Sequence, residues 1–184
     1  VKYVHERRID MQRYEFFWTP ETANKLSHRV IVPFYYKRII VGWTARAFFP
    51  GIKPKYHSNH PANFVFNMDQ QLPDNKFVIV CEGPFDAMSV DGVAVMGADI
   101  SEQQAELIDS LNKQVIVVPD WDGAGSGLID RAVEYGWAVS FPIWRESCKD
   151  INDAVDRYGK LYVLKDILTN TESNSLKIKL RSKQ

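Results

Sequence analysis

The chain has 184 residues, of which 45% are hydrophobic and 25% charged, as expected of a globular domain with a buried core. Its two cysteines, Cys81 and Cys148, lack a C-x-x-C spacing, and the longest apolar runs are far shorter than the roughly 20 residues of a membrane span. These features argue against a secreted disulfide scaffold, a zinc finger and a membrane protein, so we expect a cytoplasmic location. The start at Val1 without an apolar signal segment leads us to expect a fragment of a longer protein.

The charges are unevenly distributed although the formal net charge is zero. Residues 1–75 carry 11 basic and 6 acidic side chains (+5), residues 76–170 carry 8 and 16 (−8), and residues 171–184 carry 4 and 1 (+3). This segregation predicts a region that binds a polyanion beside a region that binds cations. Solvated charge without a function explains the same counts, so motifs must decide.

The first 75 residues are predicted to form a small basic α+β subdomain. The aromatic-rich stretch 3–19 predicts a short helix followed by a turn. Two β-rich runs, 29–35 and 38–44, are separated by about two residues and predict a hairpin. Residues 50–63 combine prolines and a glycine with basic side chains and are predicted to form a loop.

From Lys76 onward, apolar runs alternate with helical patterns, which predicts a parallel sheet covered by helices on both faces. Strands are expected at 77–81, 93–97, 114–119 and 137–143, and helices at 84–91, 101–112, 124–135 and 151–158. Ser101 and Gln104 have the spacing of a capping box. We therefore divide the chain into 1–75, 76–169 and a linker or tail at 170–184, in which the alternation at 176–181 predicts an edge strand or the start of a further domain.

Acidic residues follow the predicted strands. Glu82 follows the first strand, Asp120 and Asp122 the third, and Asp150 the fourth. The carboxyl ends of parallel strands meet at one edge of the sheet, where clustered carboxylates repel one another unless a cation compensates. Oxygen ligands favour Mg²⁺ or Mn²⁺ over zinc, whereas Cys81 is expected to be a core thiol. A solvated acidic turn would be enough to explain the D-x-D-G run by itself. The prediction of a metal site therefore depends on the occurrence of acids at several strand ends.

Several motifs resemble those of one known family. The segments are Glu82-Gly-Pro-Phe-Asp-Ala, Met96-Gly-Ala with Ser101-Glu-Gln, Asp120-Trp-Asp-Gly-Ala-Gly and Lys149-Asp-Ile-Asn-Asp, and upstream Tyr3-Val-His-Glu-Arg-Arg-Ile, Arg29-Val-Ile-Val-Pro-Phe, Val41-Gly-Trp-Thr-Ala-Arg46 and Lys53-Pro-Lys-Tyr. The first four resemble the TOPRIM catalytic domain. The upstream ones resemble the basic subdomain of bacterial and phage DnaG-type DNA primases.

The resemblance implies a Rossmann-like TOPRIM domain at 76–169, with a mostly parallel sheet and helices on both faces, after a basic subdomain that grips nucleic acid. It implies that Mg²⁺ or Mn²⁺ is bound by five acids, Glu82, Asp86, Asp120, Asp122 and Asp150. Of these, all except Asp86 are also implied to be catalytic. It further implies contacts with nucleic acid or nucleotide by Arg46, Lys53, Lys55, Asn59 and Lys149. The implied activity is metal-dependent synthesis of RNA primers from NTPs on a single-stranded DNA template, with a replicative helicase as partner or fused domain.

Two departures from the family pattern are visible. Asn152, a neutral ligand, stands where the family has the second Asp of K-D-P-D, with Asp153 beside it. The segment Tyr56-His-Ser-Asn-His-Pro is one residue longer than its counterpart, which bears on Asn59. Trp43 and Tyr56 are candidates either for stacking on bases or for packing.

Other functions fit parts of the sequence. The domain could be a TOPRIM module that binds nucleic acid without polymerising, or a TOPRIM nuclease. A haloacid-dehalogenase-like phosphatase is a remote alternative, because its D-x-D-G motif belongs to the first strand and its later motifs are not evident here.

Overall fold

The computed structural model describes residues 2–20, 25–120, 126–146 and 148–183. Its strands, numbered in chain order, are β1 (Arg29–Tyr36), β2 (Ile39–Ala47), β3 (Tyr56–Asn59), β4 (Phe77–Cys81), β5 (Val93–Ala94), β6 (Gln114–Val117), β7 (Ala138–Ser140) and β8 (Thr171–Glu172). Its helices are α1 (Lys2–Glu6), α2 (Pro84–Val90), α3 (Glu102–Asp109), α4 (Ser126–Glu134), α5 (Ile151–Tyr158), α6 (Lys160–Thr169) and α7 (Ser175–Arg181). Short 3₁₀ turns lie at Met68–Gln70 and Ile143–Glu146.

Strands β1, β2 and β3 form an antiparallel sheet in that order, which confirms the predicted hairpin. The hairpin turns at Lys37 and Arg38, whose φ angles of 50° and 66° suit the right-handed twist of the flanking strands. The prediction of a loop throughout 50–63 is wrong at β3, which pairs with β2. Gly42 allows this pairing, because a Cβ there would lie 2.5 Å from the carbonyl oxygen of Asn59. A local sequence pattern does not reveal such a distant partner.

The second sheet has the strand order β5-β4-β6-β7-β8. Its first four strands are parallel, and β8 joins the edge antiparallel to β7. Buried side chains alternate between the two faces: Ile79 packs with α2, α5 and α6, and Val80 packs with α3, α4 and α7. Helices therefore cover both faces, as the apolar strands predicted. Among the described residues, no helix has the length and apolar character needed to cross a membrane.

The small sheet packs against the face of the large sheet that carries α2. Val30, Val32 and Phe34 of β1 belong to the same buried cluster as Ile79 and Phe85. Phe34 is fully buried, so its truncation to alanine should cost about 3 to 5 kcal/mol. Apolar packing thus continues across residue 75, and the division into 1–75 and 76–169 stays a prediction.

Residues 176–181 lie in helix α7, so of the two alternatives for this segment the edge strand is wrong, and the start of a further domain stays a prediction. Asn174 caps α7 by accepting the N–H of Lys177 at 3.1 Å, and Ile178 is fully buried. Leu176 and Leu180 share the exposed face of this helix. One buried anchor and one cap suffice for a helix here, although Leu, Ile and Lys alternate as in a strand.

Candidate metal centre and nucleic-acid interface

The predicted acids gather at the carboxyl edge of the large sheet. Glu82 follows β4, Asp120 follows β6 and Asp150 is the N-cap of α5, while Asp86 lies in the first turn of α2. All four are wholly or partly buried. Asp122 lies outside the described residues. The fold therefore brings four of the five predicted ligands to one region.

Asp86 is the most constrained of these acids. Its side chain is 9% exposed, and its Oδ1 accepts the main-chain N–H of Asn152 at 2.9 Å. Burial, and then the charge of Asp150, raise the pKa of Asp86 to about 7. The N–H of Asn152 and the guanidinium groups of Arg46 and Arg7 lower it, but only in part. Asp86 therefore keeps its proton up to near-neutral pH unless a further positive charge, such as a bound cation, stabilises the carboxylate.

Asp150 is fixed by its role as a helix cap. Its Oδ1 accepts the main-chain N–H of Asp153 at 2.7 Å. Burial, and then the charge of Asp150, raise the pKa of Asp153. Lys149 is exposed and forms a salt bridge with Asp153 at 3.9 Å. Lys149 thus lies at the rim of the acidic site, where its side chain can reach solvent.

The donor chemistry at this edge suits a hard divalent cation. Burial, and then the carboxylates of Asp86, Asp120 and Glu82, raise the pKa of the Cys81 thiol well above its usual value, so this buried thiol stays neutral. Carboxylate oxygens remain as the available ligands. Within the described ranges, no three His, Cys, Asp or Glu side chains converge as a ready-made metal cluster. The fit to Mg²⁺ or Mn²⁺ therefore rests on the types of side chain present, all of which offer carboxylate oxygens, and not on their arrangement around a metal position.

Arg46 links the small sheet to the acids. It lies on β2, its guanidinium carbon is 5.0 Å from the ring centres of both Tyr56 and Phe85, and its Nη1 donates to the Tyr56 hydroxyl. Its buried Nε–H has no acceptor among the described residues. Arg46 also lowers the pKa of Asp86. This predicted nucleotide-binding residue therefore lies close enough to Asp86, one of the predicted metal ligands, to act on its pKa.

The two aromatic candidates for base stacking are packed within the protein. Tyr56 lies against Phe85, with ring centres 6.5 Å apart, and burial is the main cause that raises its pKa to about 12. Trp43 is half-buried and meets His57 edge to face at 5.4 Å. The contacts of Tyr56 agree with packing inside the protein rather than with stacking on a base.

The remaining basic candidates are exposed. Lys53 and Lys55 precede β3, and Asn59 ends it. The sequence did not reveal that Arg29 binds the main chain of the segment just before β3. Arg29 is 3% exposed and donates to four main-chain carbonyl oxygens, those of Pro54 (2.7 Å), Lys55 (3.2 Å), Lys25 (3.2 Å) and Ala45 (3.3 Å).

Sequence reasoning also missed Arg7 as a site residue. Its guanidinium lies 4.9 Å from the Tyr3 ring centre and 5.6 Å from that of Phe85, beside Asp86. The sequence did place Arg7 in the motif that begins at Tyr3, but that motif did not indicate what Arg7 does.

Comparison with known proteins agrees with this architecture. A family model described as Toprim-like matches residues 79–155. The DNA primase of Campylobacter jejuni is 31% identical over 114 residues, which cover 53% of this chain and 19% of that protein. The DNA primase of Aquifex aeolicus is 24% identical over 152 residues, which cover 72% of this chain and 30% of that protein. The chain thus spans less than a third of these two curated relatives.

A solved structure of the DnaG primase catalytic domain bound to single-stranded DNA superposes with a TM-score of 0.76. The match covers 98% of this chain and 74% of that one at 16% identity, so it establishes the fold. The class is therefore an α/β protein with a TOPRIM-like domain, as predicted. Residues 79–155 are thus similar to a Toprim-like family model, and the chain resembles DNA primases in sequence and the DnaG catalytic domain in fold, in agreement with the resemblance inferred from the motifs.

Proposed function

We propose that this chain is the catalytic core of a DNA primase that synthesises short RNA primers from NTPs on a single-stranded DNA template. The observation that carries the proposal is the meeting of Arg46, from the basic sheet, with the buried Asp86 and its neighbour Asp150. A cation beside several carboxylates suits a phosphate-bearing substrate held next to a metal. Sequence similarity to two bacterial DNA primases supports the same function.

In this proposal Glu82, Asp86, Asp120, Asp122 and Asp150 hold Mg²⁺ or Mn²⁺. When bound, divalent ions lower the pKa of an attacking hydroxyl and neutralise charge on a triphosphate. The protein contributes a fixed arrangement of oxygen ligands, because Asp150 caps a helix and Asp86 is held by a main-chain N–H. Asp86 must lose its proton to act as a ligand, so metal affinity should rise with pH.

The basic residues have the complementary task. Arg46 is held by Tyr56 and Phe85 and would contact a phosphate near the acids. Lys53, Lys55 and Lys149 are exposed and would contact template or nucleotide phosphates, with Asn59 as a polar contact. A replicative helicase, as a partner or a fused domain, would deliver the single strand.

A primer-synthesis assay tests the proposal, with labelled NTPs, single-stranded template and Mg²⁺. Asp120→Asn and Asp122→Asn should each lower product formation by at least about 100-fold, whereas Asp130→Asn, an exposed control on α4, should not. Wild-type activity in either site variant contradicts the metal assignment.

The same preparation separates the rival functions. Template binding without any product favours a non-polymerising TOPRIM module. Metal-dependent cleavage of supercoiled DNA favours a TOPRIM nuclease, and hydrolysis of a small phosphate monoester favours a phosphatase. Each of these results, without primer synthesis, overturns the proposal.

A further inference from the structure

Asn152 joins three parts of the chain at the acidic site. It lies in the first turn of α5 and is only 3% exposed. Its Nδ2 donates to the carbonyl oxygen of Arg7 at 3.0 Å and to Ser89 Oγ at 2.8 Å, and its Oδ1 accepts from Arg7 Nη1. Its main-chain N–H donates to Asp86. Both amide hydrogens and the amide oxygen are thus in use.

The chemistry of the partners fixes which way this amide points. A guanidinium can only donate and a carbonyl oxygen can only accept, so Oδ1 must face Nη1 of Arg7 and Nδ2 must face its carbonyl. Ser89 Oγ donates its own hydrogen to the carbonyl oxygen of Phe85 at 2.8 Å and is free to accept from Asn152. The network is therefore complete in one orientation only.

Aspartate at position 152 could not make the same contacts. An ionised carboxylate has no hydrogen to donate, so it would face the carbonyl oxygen of Arg7 acceptor against acceptor. Ser89 could donate to it only by giving up its hydrogen bond to the carbonyl oxygen of Phe85. The carboxylate would also add a negative charge beside the buried Asp86. Buried polar atoms left without partners are costly, so an asparagine is specifically suited to this position.

We infer that Asn152 is a positioning residue that holds the Arg7 guanidinium beside the acidic site, and not a metal ligand. Its only side-chain oxygen faces a cation, so that oxygen is directed away from any role in binding a metal. The Arg7 guanidinium is stacked on Tyr3 and Phe85, and Arg46 lies over the same Phe85 ring. Arg7 and Arg46 thereby form a pair of guanidinium groups beside Asp86.

The substrate class for this pair is the phosphate groups of a nucleotide or of single-stranded DNA, which rests on the function proposed above. Planar guanidinium groups suit phosphate oxygens, and the buried Nε–H of each of the two arginines has no acceptor among the described residues. Without Asn152, Arg7 would keep its stacking contacts but lose the hydrogen bonds that aim its charge.

The test compares four variants of the full chain: Asn152→Ala, Asn152→Asp, Arg7→Gln and Ser89→Ala. The control Ser89→Ala removes one partner of Asn152 but leaves both contacts with Arg7. Binding of a labelled single-stranded oligonucleotide is measured against salt concentration. Loss of one phosphate contact should lower the salt slope by about 0.7 and weaken binding about 3- to 10-fold.

Both Asn152 variants and Arg7→Gln should show that loss, and the Asn152→Ala, Arg7→Gln double variant should lose no more than either single variant. Ser89→Ala should keep the wild-type slope. Full additivity in the double variant overturns the inference, because it indicates that Asn152 and Arg7 act independently. A slope that changes equally in Ser89→Ala also overturns it, because it indicates general destabilisation.

Two further readouts keep the inference separate from the proposed function. The guanidinium N–H signals of Arg7, followed by NMR, should exchange slowly with solvent in the wild type and in Ser89→Ala, and quickly in both Asn152 variants. Slow exchange in Asn152→Ala overturns the positioning role, whether or not the wild type binds DNA. Failure of the wild type to bind DNA contradicts only the proposed function. Tighter binding of Mn²⁺ by Asn152→Asp, with DNA binding retained, indicates a ligand position and also overturns the inference.

Discussion

The acidic site and the basic surface are built in opposite ways. Asp86 and Asp150 are held by the main-chain N–H groups of Asn152 and Asp153 in the first turn of α5. Lys53 and Lys55 are exposed, and Arg29 holds the main chain between them and β3 through the carbonyl oxygens of Pro54 and Lys55. The difference suits the two proposed tasks, because metal chemistry requires ligands at fixed positions, whereas attraction of a polyanion requires only charge nearby.

The largest effect is expected at the acidic site. Asp150→Asn keeps a good helix cap, because asparagine caps helices as well as aspartate, but it removes the charge. Primer synthesis should fall by at least about 1,000-fold, while the melting temperature changes by no more than about 4 °C. A variant that retains activity would show that this fixed carboxylate is not a metal ligand.

The next effect concerns Arg29. Arg29→Met should lower the free energy of unfolding by about 3 to 5 kcal/mol, since four carbonyl oxygens lose a buried charged donor. Urea unfolding measures the change, and Arg157→Met on the exposed face of α5 is the control. If Arg29→Met does not fold, Arg29→Lys, which can satisfy fewer carbonyls, should show a smaller loss. An unchanged urea midpoint in both variants contradicts the role of Arg29.

A pH effect is expected from Asp86 when divalent ions are removed with a chelator. Its pKa is raised from an ordinary value near 4 to about 7, so the folded state binds an extra proton between these values. The free energy of unfolding should therefore decrease as pH rises from about 4 to about 7, by roughly 2 to 4 kcal/mol from this group. Asp86→Asn should flatten that slope. The same slope in wild type and variant would assign it to another group.

The smallest effect is expected on the basic surface. Lys53→Ala and Lys55→Ala should each weaken binding of single-stranded DNA about 2- to 5-fold at 0.1 M salt, through loss of a phosphate contact, without changing stability. Fluorescence anisotropy with a labelled oligonucleotide measures this. Equal binding by a Lys53→Ala, Lys55→Ala double variant would place the DNA elsewhere.

The large sheet could be predicted because its signals are local. Apolar runs mark β4 and β6, and Ser101 forms the predicted capping box with Gln104. Strand β3 could not be predicted, because its pairing depends on the edge of β2 and on the gap beside Gly42. Helix α6 was missed after Gly159, although Val163 and Ile167 anchor it in the core.

The acids of the site were predicted from their place after strands, and the four that the structure describes lie at the same edge of the sheet, while their role as metal ligands stays a prediction. What the sequence could not show is which polar groups are buried together. Arg29 reads as a basic motif residue, yet it is a buried clamp. Asn152 reads as a weakened ligand, yet its amide is occupied by Arg7 and Ser89. Such roles depend on contacts between residues far apart in the chain.

The most direct test of the central claim is a titration with Mn²⁺, followed by loss of the EPR signal of the free ion. Wild type and the exposed control Asp130→Asn should bind Mn²⁺ saturably, and more tightly at pH 8 than at pH 6, because Asp86 must be deprotonated. Asp86→Asn and Asp150→Asn should bind at least about 10-fold more weakly. Equal binding by all four proteins, or no binding by the wild type, would contradict a metal centre at this edge of the sheet.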